Sequence, residues 1–301
     1  MSTETADPVD KQSNYKVLST KNMSMVDKPR ILCCLSTETW SQVDKRDFIL
    51  LTAQNNPYLC VMKQILRSGD PMGAAIYDYH KTGKAGKLVV RSSMFDDDEI
   101  PVKDLFRSFD DMPYLEKLAL QSAAGRILDV GAGSGCHSLA LKSMGKESVA
   151  IDISALSVEV MRDRGVDARC VNFYDESFTE KFDTILMLMN GTGIIGNLDN
   201  MPAFFSRLKT LLNPGGSVLI DSSDLRYLYE DEDGVFEIDL ADDYYGQVDY
   251  QMVYKDVIGE PFDWLYADFE TLAYHAEEAG FKAEIVAEGD HYDYLARLTS
   301  L

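Results

Sequence analysis

The stretch Arg126-Ile-Leu-Asp-Val-Gly-Ala-Gly-Ser-Gly-Cys-His137 decides how this chain folds. Ile127, Leu128 and Val130 form a short apolar run bounded by turn residues, the pattern of a buried parallel strand. Gly131, Gly133 and Gly135 let the backbone turn sharply and pass close to a ligand, where a Cβ would collide or forbid the dihedrals. A helix follows at once, since Leu139, Ala140 and Met144 share a face and Gly145 supplies a C-terminal stop. Strand, glycine turn and helix together make a nucleotide-type binding site.

Spacing narrows the ligand. A dinucleotide fingerprint reads G-x-G-x-x-G, with its third glycine where helix and strand pack. Cys136 holds that place here, and Asp129 precedes the first glycine by two residues. In this acid-x-G-x-G-x-G pattern the chain resembles the class I S-adenosylmethionine (SAM) methyltransferases. The downstream residues extend the match. Ser148 to Ile151 read as a second strand ending in Asp152, about 20 residues past Gly131, the usual place of an acid that accepts hydrogen bonds from ribose hydroxyls. Ser154 is placed to cap the next helix, which carries Leu156, Val160 and Met161 on one face and stops at Gly165. Ala168 to Val171, Asp183 to Leu188 and Val218 to Ile220 supply three more strands. A helix between the last two, from Asp199 or Asn200, presents Met201, Phe204, Phe205, Leu208, Leu211 and Leu212 on one stripe before Asn213-Pro-Gly-Gly216 breaks it.

The resemblance covers roughly residues 105 to 299. It implies an α/β fold with a Rossmann-like, seven-stranded, mostly parallel sheet, helices on both faces and an antiparallel last strand. It further implies SAM as cofactor and S-adenosylhomocysteine as product. The cofactor contacts it implies are Asp129, Gly131, Gly133, Gly135, Asp152, Ile153, Asn172, Phe173 and Met189. Asn172 stands where the family often has Asp to read the adenine amine, and its carbonyl can still accept that bond.

Composition bounds the rest. The formal charge of −21 argues against general nucleic-acid binding, which needs clustered Lys and Arg, and against anionic membrane surfaces. No apolar run reaches the length of a membrane span and the first residues are unlike a signal peptide. Five cysteines without C-x-x-C spacing suit free thiols in a reducing cytoplasm, and no zinc-type pattern is present.

Residues 1–68 read as an N-terminal extension, polar and disordered over about the first 20, and beyond them an added cap, a dimer contact or a partly unstructured segment. Ile31 to Leu35 and Phe48 to Leu51 look buried without a clear period, and Tyr58 to Arg67 suit a short helix. Residues 69–120 form pre-motif helices, the first starting at Pro71. By family analogy these fold over the site as a lid, making Tyr77, Tyr79 and His80 substrate-pocket candidates; an amphipathic helix packed on the sheet is the alternative. The domain proper spans 121–301. Within it, residues 222–262 read as an inserted β-hairpin lid, with Val235 to Asp239 and Gln247 to Tyr254 as strands. Phe95-Asp-Asp-Asp-Glu99 reads as a solvated turn. Ala267 to Ala279 form a helix, and Phe281 to Val286 with Tyr292 to Leu298 a closing hairpin.

Methyl transfer from SAM is an in-line displacement that alignment alone can accelerate greatly, so neither a metal nor a covalent nucleophile is obligatory. A hydroxyl or ammonium acceptor also needs a base. His80, His137 and His291 qualify by type. His80 is best located, His137 suits a solvent-facing or capping role, and His291 reaches the pocket only if its turn folds inward. Asn190, ending the fourth strand, can orient a substrate heteroatom or bind SAM's backbone atoms, although Asn190-Gly191 also reads as a simple turn. Arg107 can fork onto the carboxylate of SAM's methionine part, or form a surface ion pair. Asp224 and Trp264 are further pocket candidates. The expected function is methylation of a small-molecule acceptor by a monomer or homodimer. The alternatives are a non-catalytic SAM-binding or scaffold protein of the same fold and, against Cys136 and Asp129, an NAD(P)-dependent oxidoreductase.

Overall fold

The computed structural model describes residues 69–229 and 243–301. The expectations for residues 1–68 and for a strand over Val235 to Asp239 lie outside them. In chain order come helix α1 (Pro71–Thr82), strands β1 (Leu88–Arg91) and β2 (Asp98–Ile100), helix α2 (Tyr114–Ser122), strand β3 (Ile127–Val130), helix α3 (Cys136–Ser143) and strand β4 (Ser148–Asp152). Helix α4 (Ala155–Asp163), strands β5 (Ala168–Cys170) and β6 (Phe182–Met187), helix α5 (Met201–Leu211) and strand β7 (Leu212–Ser223) follow. The chain closes with strands β8 (Gln247–Tyr254), β9 (Val257–Ile258) and β10 (Phe262–Leu265), helix α6 (Phe269–Glu278) and strands β11 (Phe281–Glu288) and β12 (Asp293–Ser300).

The large sheet has seven strands in the order β11-β12-β7-β6-β3-β4-β5. Strands β5, β4, β3, β6 and β7 run parallel, while β12 is antiparallel to both β7 and β11. This is the expected Rossmann-like sheet with its antiparallel last strand. Alternating side chains divide it into two cores, because successive residues of a strand point to opposite faces. Leu128 and Val130 of β3, with Ile185 and Met187 of β6, meet Phe204, Leu208 and Leu211 of α5 and Leu272 of α6. On the other face Ile127, Leu186 and Leu219 meet Leu115 and Leu120 of α2 and Ala140 and Leu141 of α3.

Helix ends follow the local signals. Asp70 caps α1 by accepting from the Gly73 N–H at 2.7 Å, and Ser154 caps α4 by accepting from the Ser157 N–H at 3.0 Å. Gly145 and Gly165 sit just past α3 and α4 at φ +74° and +81°. One break is placed differently than expected. Asn213 to Gly216 bulge within β7, whose register jumps from Phe182↔Leu212 to Thr184↔Ser217.

The insertion is more than a hairpin. Strand β8 pairs with β10 on one side and with β1 on the other, making a second sheet in the order β10-β8-β1-β2, with β9 on β8. The region around Phe95 thus links two paired strands. Periodicity gave no warning of them, since β1 and β2 are short and of their residues only Leu88 is fully buried. Tyr254 of β8 packs in one buried cluster with Leu88, Ile76 and Val102, seating this sheet against α1. Among the described residues no helix is long and apolar enough to cross a membrane.

Phe204 is fully buried against Phe173 and Phe205. Truncating a buried aromatic leaves a cavity, so Phe204→Ala is expected to lower unfolding stability by about 3–5 kcal/mol. Denaturant titration checks this, and a loss below about 1 kcal/mol would contradict the packing described.

Candidate active site

The glycine turn lies between β3 and α3. Gly131, Gly133 and Gly135 take φ of +68°, +54° and +81°, left-handed values that residues with a Cβ rarely adopt. At Gly135 an added Cβ would also press on Met161 and Val166. The Gly131 and Ala132 N–H groups donate to the Ile151 carbonyl, while the Gly133 N–H donates to Asp152 Oδ2 at 2.8 Å. The other Asp152 oxygen accepts from the Ser154 N–H at 2.8 Å. One carboxylate therefore joins the turn after β3 to the turn after β4. Burial, outweighing these two bonds, pushes the Asp152 carboxyl up to about 6. Asp129 is buried, at 2 % exposed, and accepts from the Ser138 hydroxyl at 2.6 Å, so it braces the first turns of α3.

Next to Asp152, Ile153 is 74 % exposed, an open apolar surface beside an acid. Asn172 is exposed and its Oδ1 accepts from the Tyr174 N–H at 2.9 Å. Phe173 departs from expectation: its ring is buried against Tyr174 and Phe204 and cannot be offered to a ligand. The aromatic core under β5 and α5 claims it. At the end of β6, Met189 and Asn190 are consecutive non-glycine residues with positive φ, 67° and 63°. Such conformations cost on the order of 1–3 kcal/mol each and concentrate at functional sites. The amide nitrogen and oxygen of Asn190 are both buried and have no hydrogen-bond partner among the described residues. The turn that follows carries Gly193 beneath the Trp264 indole, where an added Cβ would fall inside the ring.

Residues 127–216, from β3 into the bulge of β7, match the family model of a methyltransferase domain. A SAM-dependent methyltransferase of Bacteroides fragilis, crystallised with S-adenosylhomocysteine, is 63 % identical. The alignment covers 77 % of this chain and 96 % of that one, with a TM-score of 0.73. The chain belongs to the class I SAM-dependent methyltransferases. Two curated relatives in this family match over shorter stretches. A cypemycin N-terminal methyltransferase of Streptomyces is 31 % identical over 102 residues, 33 % of this chain and 42 % of the relative. A ubiquinone biosynthesis O-methyltransferase of Rhodopseudomonas palustris is 30 % identical over 101 residues, 32 % of this chain and 38 % of the relative. The chain thus matches less than half the length of either.

The methyltransferase core holds polar residues that spacing did not single out. Glu116 of α2 is 5 % exposed and takes the Arg107 guanidinium on both oxygens, Nε at 3.1 Å on Oε2 and Nη2 on Oε1. Arg107 Nη1 also donates to the Asp104 carbonyl at 2.6 Å. Its fork is therefore engaged within the protein instead of reaching toward a cofactor carboxylate. His137, expected to face solvent or cap α3, is 4 % exposed, with Nε2 3.0 Å from Glu116 Oε2. Burial disfavours its charged form, yet the Glu116 bond and the Asp129 and Glu116 carboxylates outweigh this and raise its pKa. Burial likewise disfavours charge on Glu116, and bonds from His137 and Arg107 bring its pKa below the usual value.

His80 is not brought to the glycine turn. Helix α1 lies along α4, with Asp70 Oδ2 accepting from Ser154 Oγ at one end and His80 Nε2 3.5 Å from Asp163 at the other. Nine residues of helix separate those anchors, roughly 14 Å. Tyr79 packs on Phe106 and Tyr77 lies beneath the Lys81 ammonium, so this face of α1 is a packing surface. His291 is exposed in its turn. Asp224 is buried and accepts from Tyr245 Oη at 2.8 Å and pairs with Arg226 Nε at 2.6 Å.

The buried cluster yields a titration prediction. Because folding raises the His137 pKa, its stabilising contribution is full below the unfolded value near 6.5 and fades as pH rises through the folded value. The Glu116 contribution is present above about 4.5 and fades on acidification. Proton NMR should place His137 above 6.5, and Glu116→Gln should lower it. Leaving Arg107 without its buried partner should also cost about 3–5 kcal/mol. A His137 midpoint at or below 6.5 would contradict the arrangement.

Proposed function

We propose that this chain transfers the methyl group of SAM to a small-molecule acceptor. One observation carries the catalytic part of this reading: the buried, unpartnered amide of Asn190 in a strained turn at the end of β6. Leaving a buried polar group unsatisfied costs about 1–3 kcal/mol, so an amide without a partner among the described residues is set aside for a bound molecule, which we take to be the acceptor.

The residues present suit the cofactor. Asp152 stands at the mouth of the glycine turn with lone pairs beyond those its two N–H partners use, as ribose hydroxyls require. Ile153 offers an apolar face to a purine, and the Asn172 carbonyl, with one lone pair beyond the Tyr174 N–H bond, can accept from the adenine amine. Gly131, Gly133 and Gly135 allow close backbone approach, with Asp129 bracing the turn from behind. Met189 and Asn190 close the neighbouring side. When bound, SAM supplies an electrophilic methyl group on a positive sulfur. Asn190 then orients the attacking heteroatom of the acceptor, donating through its nitrogen or accepting through its oxygen.

The acceptor side adjoins β7. A recess of about 1160 Å³ opens beyond the end of that strand, lined among others by Asp224, Tyr244, Tyr245, Asp268, Tyr292 and Tyr294. Carboxylates and tyrosine rings favour a neutral or cationic acceptor, consistent with a chain of net charge −21.

Calorimetric titration tests the cofactor. SAM is expected to bind in the micromolar range, with NAD and NADP giving no heat. Asp152→Ala should weaken SAM binding about 10–150-fold, as expected for loss of a charged hydrogen-bond partner worth about 1.5–3 kcal/mol. Ribose needs the ionised carboxylate, so affinity should fall as pH drops through about 6. Asn190→Ala should bind SAM within about threefold of wild type and lose methyl transfer to any acceptor found by screening, by about 100-fold or more. An Asn190→Ala protein of undiminished turnover would sink the catalytic assignment.

A further inference from the structure

The turn that presents Asn190 has an internal bond at that residue, the Gly193 N–H donating to the Asn190 carbonyl at 3.0 Å, which leaves the Met189 and Gly191 N–H groups to be held from outside. Met189 and Asn190 both occupy the left-handed region without being glycine, and among the described residues the Asn190 side chain makes no bond that would keep it there. What grips the turn comes from the neighbouring strand. Asp221 of β7 accepts from the Met189 N–H through Oδ2 at 3.1 Å and from the Gly191 N–H through Oδ1 at 2.9 Å. The two N–H groups flank Asn190 on either side, so one carboxylate spans the residue whose amide matters. From below the turn is seated tightly: an added Cβ at Gly191 would press on Met187 and Ile220. The backbone on either side of Asn190 is thus bonded to Asp221, and Gly191 is packed closely on Met187 and Ile220.

Resting on the methyl-transfer reading, we propose that Asp221 is a positioning residue, whose carboxylate clamps the Met189 and Gly191 N–H groups and thereby fixes where the Asn190 amide stands. Both oxygens are needed as acceptors, so the clamp requires the ionised acid; a protonated carboxyl has one oxygen turned donor and cannot take both N–H groups equally. Burial pushes the Asp221 carboxyl up to about 6, with Glu116 of α2 adding to the rise and the Gly191 and Met189 N–H groups and His137 of α3 opposing it. Tyr294 of β12 also faces it, and burial holds that phenol neutral. The clamp is therefore set at neutral pH and slackens as pH falls through about 6.

Asp152 titrates over the same range, so SAM affinity against pH cannot separate the two acids. The separating measurement is nuclear magnetic resonance of the full chain labelled at Met, Gly and Asn. In the wild type, the Met189 and Gly191 backbone amides are expected to shift together with one midpoint near 6, and SAM is expected to move the Asn190 side-chain amide signals at pH 7.5. In Asp221→Asn, which keeps the shape and one acceptor, that shared transition should vanish. The variant should bind SAM within about threefold of wild type by calorimetry, yet leave the Asn190 side-chain signals broadened and unresponsive. Wild-type amides that do not titrate between pH 5 and 7.5, or an Asp221→Asn protein with wild-type Asn190 response, would overturn the inference. The wild-type titration needs no variant to fold. Failure of the wild type to bind SAM at all would instead count against the methyl-transfer reading, and the two failures are read from different signals.

Discussion

A single hydrogen bond, from the Gly133 N–H to Asp152, governs the geometry of the site. It fixes the glycine turn after β3 against the end of β4, and it sets the carboxylate where ribose hydroxyls must arrive. The rest of the cofactor side is built around that contact. Ser154 N–H takes the second oxygen of Asp152, Ser154 Oγ binds Asp70, and Asp70 caps α1. One chain of bonds thus runs from the glycine turn to the helix that covers it. Removing the middle member would loosen a strand end, a helix start and a covering helix together, because buried networks behave as units.

The chemistry is set by how carboxylates are distributed among burial and partners. Asp152 and Asp221 each receive two backbone N–H bonds and are still pushed upward by burial. Glu116 receives a guanidinium and an imidazole and is pulled down. Glu116 therefore titrates below Asp152 and Asp221, the situation in which a fold assigns different tasks to chemically similar groups. Glu116, held below the usual carboxylate range, anchors the Arg107 guanidinium and the His137 imidazole within the protein. Asp152 and Asp221 stay near the threshold of ionisation at the front. An acidic front suits a cofactor carrying positive charge on sulfur and nitrogen.

The small sheet changes what the insertion does. A lone hairpin would be a marginal structure in water. Pairing of β8 with β1, β9 and β10 instead makes it part of a five-stranded sheet, with Tyr254 buried on α1 and Trp264 over Gly193. The small sheet is thus joined both to the segment before the glycine motif, through β1 and α1, and to the turn that follows Asn190, through Trp264.

The large sheet, the glycine turn, Asp152, the helix start at Pro71 and the cap at Ser154 were legible in the sequence because each depends on residues within a few positions of one another: apolar runs, glycines at turns and polar side chains at helix starts. Asn190 was legible as a strand end, though not as a buried orphan. What tertiary structure alone decided lies between distant segments. Arg107 finds Glu116 and Glu116 finds His137 only once α2 packs on α3; Phe173 turns inward only because α5 brings Phe204 beneath it; β1 and β2 become strands only because β8 arrives from more than 150 residues away. Asp221 reaches Met189 and Gly191 across the sheet. A side chain's partner across space carries no local signature, whereas a backbone conformation does, and that is the physical line between what could be read and what had to be folded to be seen.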